Sequence, residues 1–182
     1  LMKWDHSDSY LVKKCPEYYF PATASDMTFE FSLNHPDDSF LRDHAVDENV
    51  IFPAAGYLML AWRRLAAQKT LQWNQVPVVF ENVQFRRTVQ FQNGKAKLTV
   101  RYTEPTGEFV ILDSGHIAAV GKIFQMKNEL TNINTLDCKN KIDYSISHED
   151  VYKELRVRGY DYGLKFKGIQ ELQFYDKINS TT

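Results

Sequence analysis

The stretch LRDHAVDENVIFPAAGYLMLAW, Leu41 to Trp62, carries a lone histidine, His44, to within nine residues of Pro53, where a long apolar run opens. Pro53 suits the first helical position, because the N–H it lacks would be unpaired there anyway. From Ala54 to about Thr70, Tyr57, Leu58, Leu60, Ala61, Trp62, Leu65 and Ala66 cover nearly all sides of a helix rather than one stripe. Such a helix has to be enclosed. Its polar end, Arg63 to Lys69, is expected to emerge into water.

Working outward, MTFEFSL alternates Met27, Phe29 and Phe31 against Thr28, Glu30 and Ser32, the period of a half-buried strand. Further strand signals follow the helix: VVFENVQF, TVQF, AKLTVRY and EFVILDSGHIAAVGKIFQM. Asn93-Gly94 marks a tight hairpin between two of them, since both central positions tolerate positive φ, and EPTGEF marks another. One enclosed helix followed by a run of antiparallel strands has a natural solution in a curved sheet wrapped around that helix. This is an α+β hotdog fold.

The rest of the composition narrows the class. The 182 residues are 43% hydrophobic and 14% aromatic, enough for a sizeable core. A net charge of −1 supplies no global field for nucleic acid or an anionic membrane, and no apolar run approaches a bilayer span. The N-terminus LMKWDHSDSY has no apolar signal core. Cys15 and Cys138 lie far apart without metal-like neighbours and read as free thiols, which points to the cytoplasm.

Residues 1–128 are therefore expected to form an N-terminal hotdog with its lead-in, Leu1 to Asp26. The polar, aperiodic KNELTNINTLDCKNK centres a linker over 129–143, and 144–182 begins a second unit. There, Ser147 and Asp150 have the spacing of a capping box, Val151 and Leu155 share a face, and Gly159 stops the helix. GIQELQFYDKI alternates like a strand, after which the second unit is expected to be cut off at Thr182.

His44 is the candidate for chemistry. A helix starting at Pro53 presents unpaired N–H groups and a positive dipole end, a ready site for a developing negative oxygen. A thioester enolate needs a base of near-neutral pKa beside such donors, and imidazole is the side chain closest to that requirement. His6, His35, His116 and His148 are assigned to structure or solvent, since none has a metal-like partner at helical spacing. Arg63-Arg64 and Arg86-Arg87 read as solvated faces.

DHAVDENVIFPAAGYLMLAW resembles the histidine motif H-x3-G-x4-P of the acyl dehydratase domains in animal-type fatty acid synthases and related polyketide synthases. VYKELRVRGYDYGLKFKG, Val151 to Gly168, resembles their G-Y-x-Y-G-P-x-F-x-G segment, and KWDHS and PVVFENV also fit. The resemblance is closest to the animal fatty acid synthase type. It implies a double hotdog that dehydrates a 3-hydroxyacyl thioester on acyl carrier protein to the trans-2-enoyl thioester. It further implies that His44 takes the α-proton and that the N–H of Ala54, just past Pro53, holds the thioester carbonyl. The acid partner is expected on the central helix of the second hotdog, beyond residue 182, so the chain alone is expected to be inactive. Tyr160, Tyr162 and Phe166 stand between plain aromatic packing and lining the substrate tunnel. No cofactor or metal is implied, because the phosphopantetheine arm belongs to the carrier protein. The implied partners are the carrier-bound substrate, other synthase domains and a second copy in a homodimer.

Two residues depart from the pattern. Glu48 stands where the motif has glycine, so it must either take a backbone geometry that costs about 1 kcal/mol or reshape the loop and displace His44. A carboxylate turned inward there would also raise the histidine pKa. Leu164 stands in place of the motif proline. Asp43, Asp47 and Asp161 read as solvated turn residues. These departures leave a degenerate structural or acyl-binding module as one alternative. A hotdog thioesterase is the other, disfavoured because Ala54 to Thr70 contains no Asp or Glu.

Overall fold

The computed structural model describes residues 26–126 and 142–175. The expected lead-in up to residue 25, His6, both cysteines, the KWDHS match and the stretch 127–141 lie outside the described residues.

The enclosed helix is α1, Ala54–Gln68. An antiparallel five-stranded sheet packs against it, built from β1 (Asp26–Ser32), β4 (Val78–Phe85), β5 (Lys95–Thr103), β6 (Glu108–Asp113) and β7 (His116–Gln125). The strands lie in the order β1-β5-β6-β7-β4. Met27, Phe29, Leu98, Val100, Phe109, Ile111, Ala119 and Ile123 point inward from the sheet onto Tyr57, Leu60, Ala61 and Leu65 of the helix. The alternation predicted for β1 holds, with Met27 and Phe29 buried and Glu30 exposed. This is the hotdog fold.

Several local expectations are corrected. Pro53 is the N-cap of α1 with extended backbone, so the first helical residue is Ala54. The polar end of α1 does not emerge at Arg63. Arg64 is only 4% exposed, and its guanidinium lies 5.8 Å over the Tyr102 ring, while Arg63 lies 5.7 Å over Trp73. Burial lowers the pKa of Arg64. The planar guanidinium on an aromatic face is what lets arginine end an otherwise apolar stripe. Arg86 and Arg87 are exposed, as expected, and Arg87 faces Asp113 at 3.5 Å.

The run EFVILDSGHIAAVGKIFQM is two strands. Ser114 and Gly115, at φ 50° and 83°, turn β6 back on β7. Asn93 and Gly94 form the predicted turn between bridged Gln92 and Lys95, and Gly107 closes the β5–β6 connection. TVQF is no sheet strand. It runs extended beside residues 50–52, with Phe52 N–H donating to the Val89 carbonyl and Phe91 N–H to that of Val50.

The later residues form β8 (Ile142–Ser147), α2 (His148–Val157), β9 (Tyr160–Tyr162) and β10 (Glu171–Tyr175). Ser147 caps α2, its hydroxyl accepting from the Asp150 N–H, and Gly159 follows the helix at φ +88°. The predicted strand is β10, which pairs with β8. No helix among the described residues is long and apolar enough to cross a membrane.

Candidate active site

His44 opens a short hairpin, β2 (His44–Val46) and β3 (Asn49–Val50), joined by Asp47 and Glu48. Both loop residues are left-handed, at φ 47° and 63°. Two successive positive φ values match the right-handed twist of a two-residue hairpin. Of the two outcomes expected for Glu48, the strained backbone is the one adopted, and its side chain is exposed rather than turned inward.

The imidazole is held on several sides. The His44 carbonyl accepts from the Ile51 N–H at 3.1 Å, and His44 Nδ1 meets the Ile51 carbonyl at 2.9 Å. A carbonyl can only accept, so this bond assigns the proton to Nδ1 and leaves the lone pair on Nε2. Ile51 stands two residues before Pro53, which ties the imidazole to the start of α1. There Ala54 and Ala55 are exposed, and the first N–H groups of the helix have no intrahelical acceptor.

The second motif lies directly on the histidine loop. β9 pairs antiparallel with β2, setting His44 opposite Tyr162, Ala45 opposite Asp161 and Val46 opposite Tyr160. The Tyr162 ring stacks on the imidazole at 5.3 Å, and the Phe166 ring approaches it at 4.8 Å with a tilt of 56°. Tyr160 packs on Tyr162 at 5.8 Å and is itself 40% exposed. Of the three candidate aromatics, the structure thus brings Tyr162 and Phe166 to His44 and sets Tyr160 behind them. Burial, followed by the neighbouring Tyr160 and Tyr152, pushes the Tyr162 phenol above its usual pKa, so at neutral pH it stays protonated.

Leu164 opens a short 3-10 turn, Leu164–Phe166, with its side chain 87% exposed. This is a position where proline suits a turn by its fixed φ, and leucine occupies it with the turn intact. From below, Tyr152 of α2 braces the same turn. Its hydroxyl accepts from the Ile169 N–H at 2.9 Å and donates to the Phe166 carbonyl at 3.5 Å.

Two of the three acids expected in solvent, Asp43 and Asp161, do structural work instead, while Asp47 is an exposed turn residue, as expected. Asp43 Oδ2 accepts from the Lys165 N–H at 2.9 Å, and its backbone carbonyl accepts from the Gly163 N–H at 2.8 Å. Asp161 Oδ2 accepts from the Glu48 N–H at 3.2 Å, and the Asp47 N–H donates to the Gly159 carbonyl at 2.7 Å. A Cβ on Gly159 would collide with the Asp47 carboxylate, and one on Gly163 with that of Asp43. The sequence carries a trace of this arrangement. Asp43 and Asp47 flank His-Ala-Val at the spacing with which Gly159 and Gly163 flank Tyr-Asp-Tyr.

His35 Nδ1 accepts from the Asp37 N–H and His148 Nδ1 meets the Ile169 carbonyl, while His116 is exposed at the start of β7. Among the described residues no group of three His, Cys, Asp or Glu side chains is arranged to hold a metal.

The family model of the polyketide synthase dehydratase domain matches residues 21–112. The dehydratase domain of the CurF module of curacin polyketide synthase is 25% identical, with a TM-score of 0.65 over 81% of this chain and 56% of that one. The PpsC dehydratase domain of Mycobacterium tuberculosis, solved with C12:1-CoA, is 19% identical, with a TM-score of 0.65 over 82% and 53%. A trans-AT polyketide synthase dehydratase domain from Brevibacillus brevis is 18% identical, with a TM-score of 0.62 over 82% and 56%. The chain spans little more than half the length of these structures.

Proposed function

The chain belongs to the polyketide synthase dehydratase domain family, and from that premise we propose that it carries the base-bearing half of a dehydratase acting on 3-hydroxyacyl thioesters of acyl carrier protein. The observation that carries the reading is the bond from His44 Nδ1 to the Ile51 carbonyl, which leaves Nε2 as the free base. Nε2 takes the α-proton of the substrate. The electron pair of that C–H bond moves into the enolate of the thioester, whose oxygen rests on the N–H of Ala54 at the positive end of α1. The enolate collapses to the trans-2-enoyl thioester as the bond to the 3-hydroxyl breaks, and that hydroxyl leaves as water after taking a proton from an acid. We place this acid on a second hotdog, in the part of the relatives' length that this chain does not span.

Pro53 shapes the loop before the helix in this reading, while Tyr162 and Phe166 wall the site beside the imidazole and Tyr160 lies behind them. In this reading the described residues 26–126 belong to the first hotdog and 142–175, opening with β8, to the start of the second. The domain needs no cofactor of its own, since elimination of water transfers no electrons to the protein; the carrier protein brings the phosphopantetheine arm. We propose further that the reaction serves fatty acid synthesis within a cytoplasmic, homodimeric multidomain synthase, a reading supported by the likeness of the histidine loop to animal fatty acid synthases. In the full-length protein, His44→Ala abolishes dehydration of 3-hydroxyacyl carrier protein with an unchanged melting curve. Turnover near the parental rate would overturn the reading.

A further inference from the structure

We infer that Asp43 is a positioning residue for His44, acting through the turn that carries Phe166; the inference rests on the reading of His44 as the base. His44 has one ring edge fixed by the Ile51 carbonyl, and its remaining freedom is limited by Tyr162 and Phe166. Phe166 stands in the 3-10 turn Leu164–Phe166, whose internal bonds run from the Phe166 N–H to the Gly163 carbonyl at 3.0 Å and from the Lys167 N–H to the Leu164 carbonyl at 3.4 Å, and neither takes up the Lys165 N–H. Gly163, its N-cap, has no side chain to accept an N–H of the turn. Asp43 supplies that acceptor from 122 residues away, at 2.9 Å from the Lys165 nitrogen. A carboxylate accepting a backbone N–H makes a short, charge-assisted bond of about twice the neutral strength. The residue next to His44 in sequence therefore grips the turn whose Phe166 ring leans against the imidazole.

Gly163 belongs to the same device, since any Cβ there would occupy the space of the Asp43 carboxylate. At the other end of the strand pair the roles are reversed. Asp161, on β9, accepts from Glu48 in the hairpin turn. Asp161 thus fixes the hairpin turn, which supplies no ring to the imidazole, while Asp43 fixes the turn that carries Phe166. This difference separates a positioning role from general support of the β2–β9 pair.

The test is NMR of the 182-residue chain with labelled histidine rings, the His44 signals being assigned by their loss in His44→Gln. The stacked Tyr162 ring and the tilted Phe166 ring move the His44 ring protons away from the shifts of a solvated histidine. In Asp43→Ala these signals are expected to return toward solvated values, and the Lys165 amide to exchange roughly tenfold faster or more. Asp43→Asn keeps an acceptor oxygen and is expected to restore most of both, while Asp161→Ala leaves the His44 ring signals in place. In the full-length protein, Asp43→Ala is expected to lower kcat roughly ten- to a hundredfold with KM within about twofold. Unmoved ring signals and Lys165 exchange in Asp43→Ala would overturn the inference. Should Asp43→Ala not fold, Gly163→Ala attacks the same bond from the other side and is read by the same signals, with moved signals supporting and unmoved ones overturning. If His44 were not the base, the ring signals would still follow Asp43 while His44→Ala kept its turnover, so the two failures are told apart.

Discussion

Replacing Glu48 by glycine stabilises the protein without changing its chemistry. Glu48 sits at φ 63°, where a side chain costs roughly 1–2 kcal/mol through the clash of Cβ with the following carbonyl. Glycine removes that clash but brings a more flexible unfolded chain, which offsets about 0.5–1 kcal/mol. The Glu48 side chain is exposed, and its backbone N–H, which donates to Asp161, survives the substitution. The net gain is therefore about 0.5–1 kcal/mol, a rise in Tm of roughly 1–4 °C for a chain of this size. Thermal and urea denaturation of Glu48→Gly, Glu48→Asn and Glu48→Val measure it. Asparagine tolerates the left-handed region and is expected to fall between glycine and glutamate, whereas β-branched valine destabilises. In the full-length protein, kcat/KM stays within about twofold and the acid limb of its pH profile does not move, because the carboxylate lies in solvent. Equal destabilisation by glycine and valine would refute the left-handed loop, and a downward shift of the acid limb would mean that the carboxylate reaches the imidazole.

Tyr57 and Gly159 give further tests. The Tyr57 hydroxyl is buried, and the nearby Val89 backbone gives it only a weak hydrogen bond, so Tyr57→Phe is expected to change stability by less than about 1 kcal/mol in urea titration, and a loss beyond that size would show a full-strength partner. Burial, only partly offset by the nearby Val89 backbone, pushes the Tyr57 phenol up to about 12. As pH rises from 10 toward 12 the unfolded chain releases this proton and the folded chain keeps it, so stability falls by on the order of 2 kcal/mol across that window. Tyr57→Phe should lose that part of the alkaline decline, and an unchanged alkaline profile would contradict the assignment. Gly159→Ala places a Cβ both at a positive φ and against Asp47, and is expected to destabilise by roughly 1–3 kcal/mol, with faster exchange of the Asp47 amide.

The hotdog was legible because its signals are local. An apolar run too broad for one stripe demands enclosure, and β1 alternates cleanly. The split between β6 and β7 was hidden because Ser114-Gly115 interrupts the strand run by only two residues. β8 went unread although Ile142, Tyr144 and Ile146 alternate, because it follows directly on a polar stretch. Arg64 was misplaced because charge alone does not register an aromatic ring on a distant strand. His44 stood out by its place before Pro53, but Ile51, which sets its tautomer, contributes only a carbonyl, a group every residue has. The pairing of β2 with β9, and with it the work of Asp43 and Asp161, joins segments more than a hundred residues apart, and only the matched spacing of two acids and two glycines hints at it.

The central claim is that His44 moves the α-proton, and the reverse reaction tests it most directly. Full-length protein hydrating a trans-2-enoyl thioester of carrier protein in D2O delivers one deuteron to the α-carbon, which mass spectrometry of the 3-hydroxyacyl product counts. The account predicts that His44→Ala, folded to the same extent, incorporates deuterium no faster than the protein-free control. Incorporation by His44→Ala at the parental rate would contradict it.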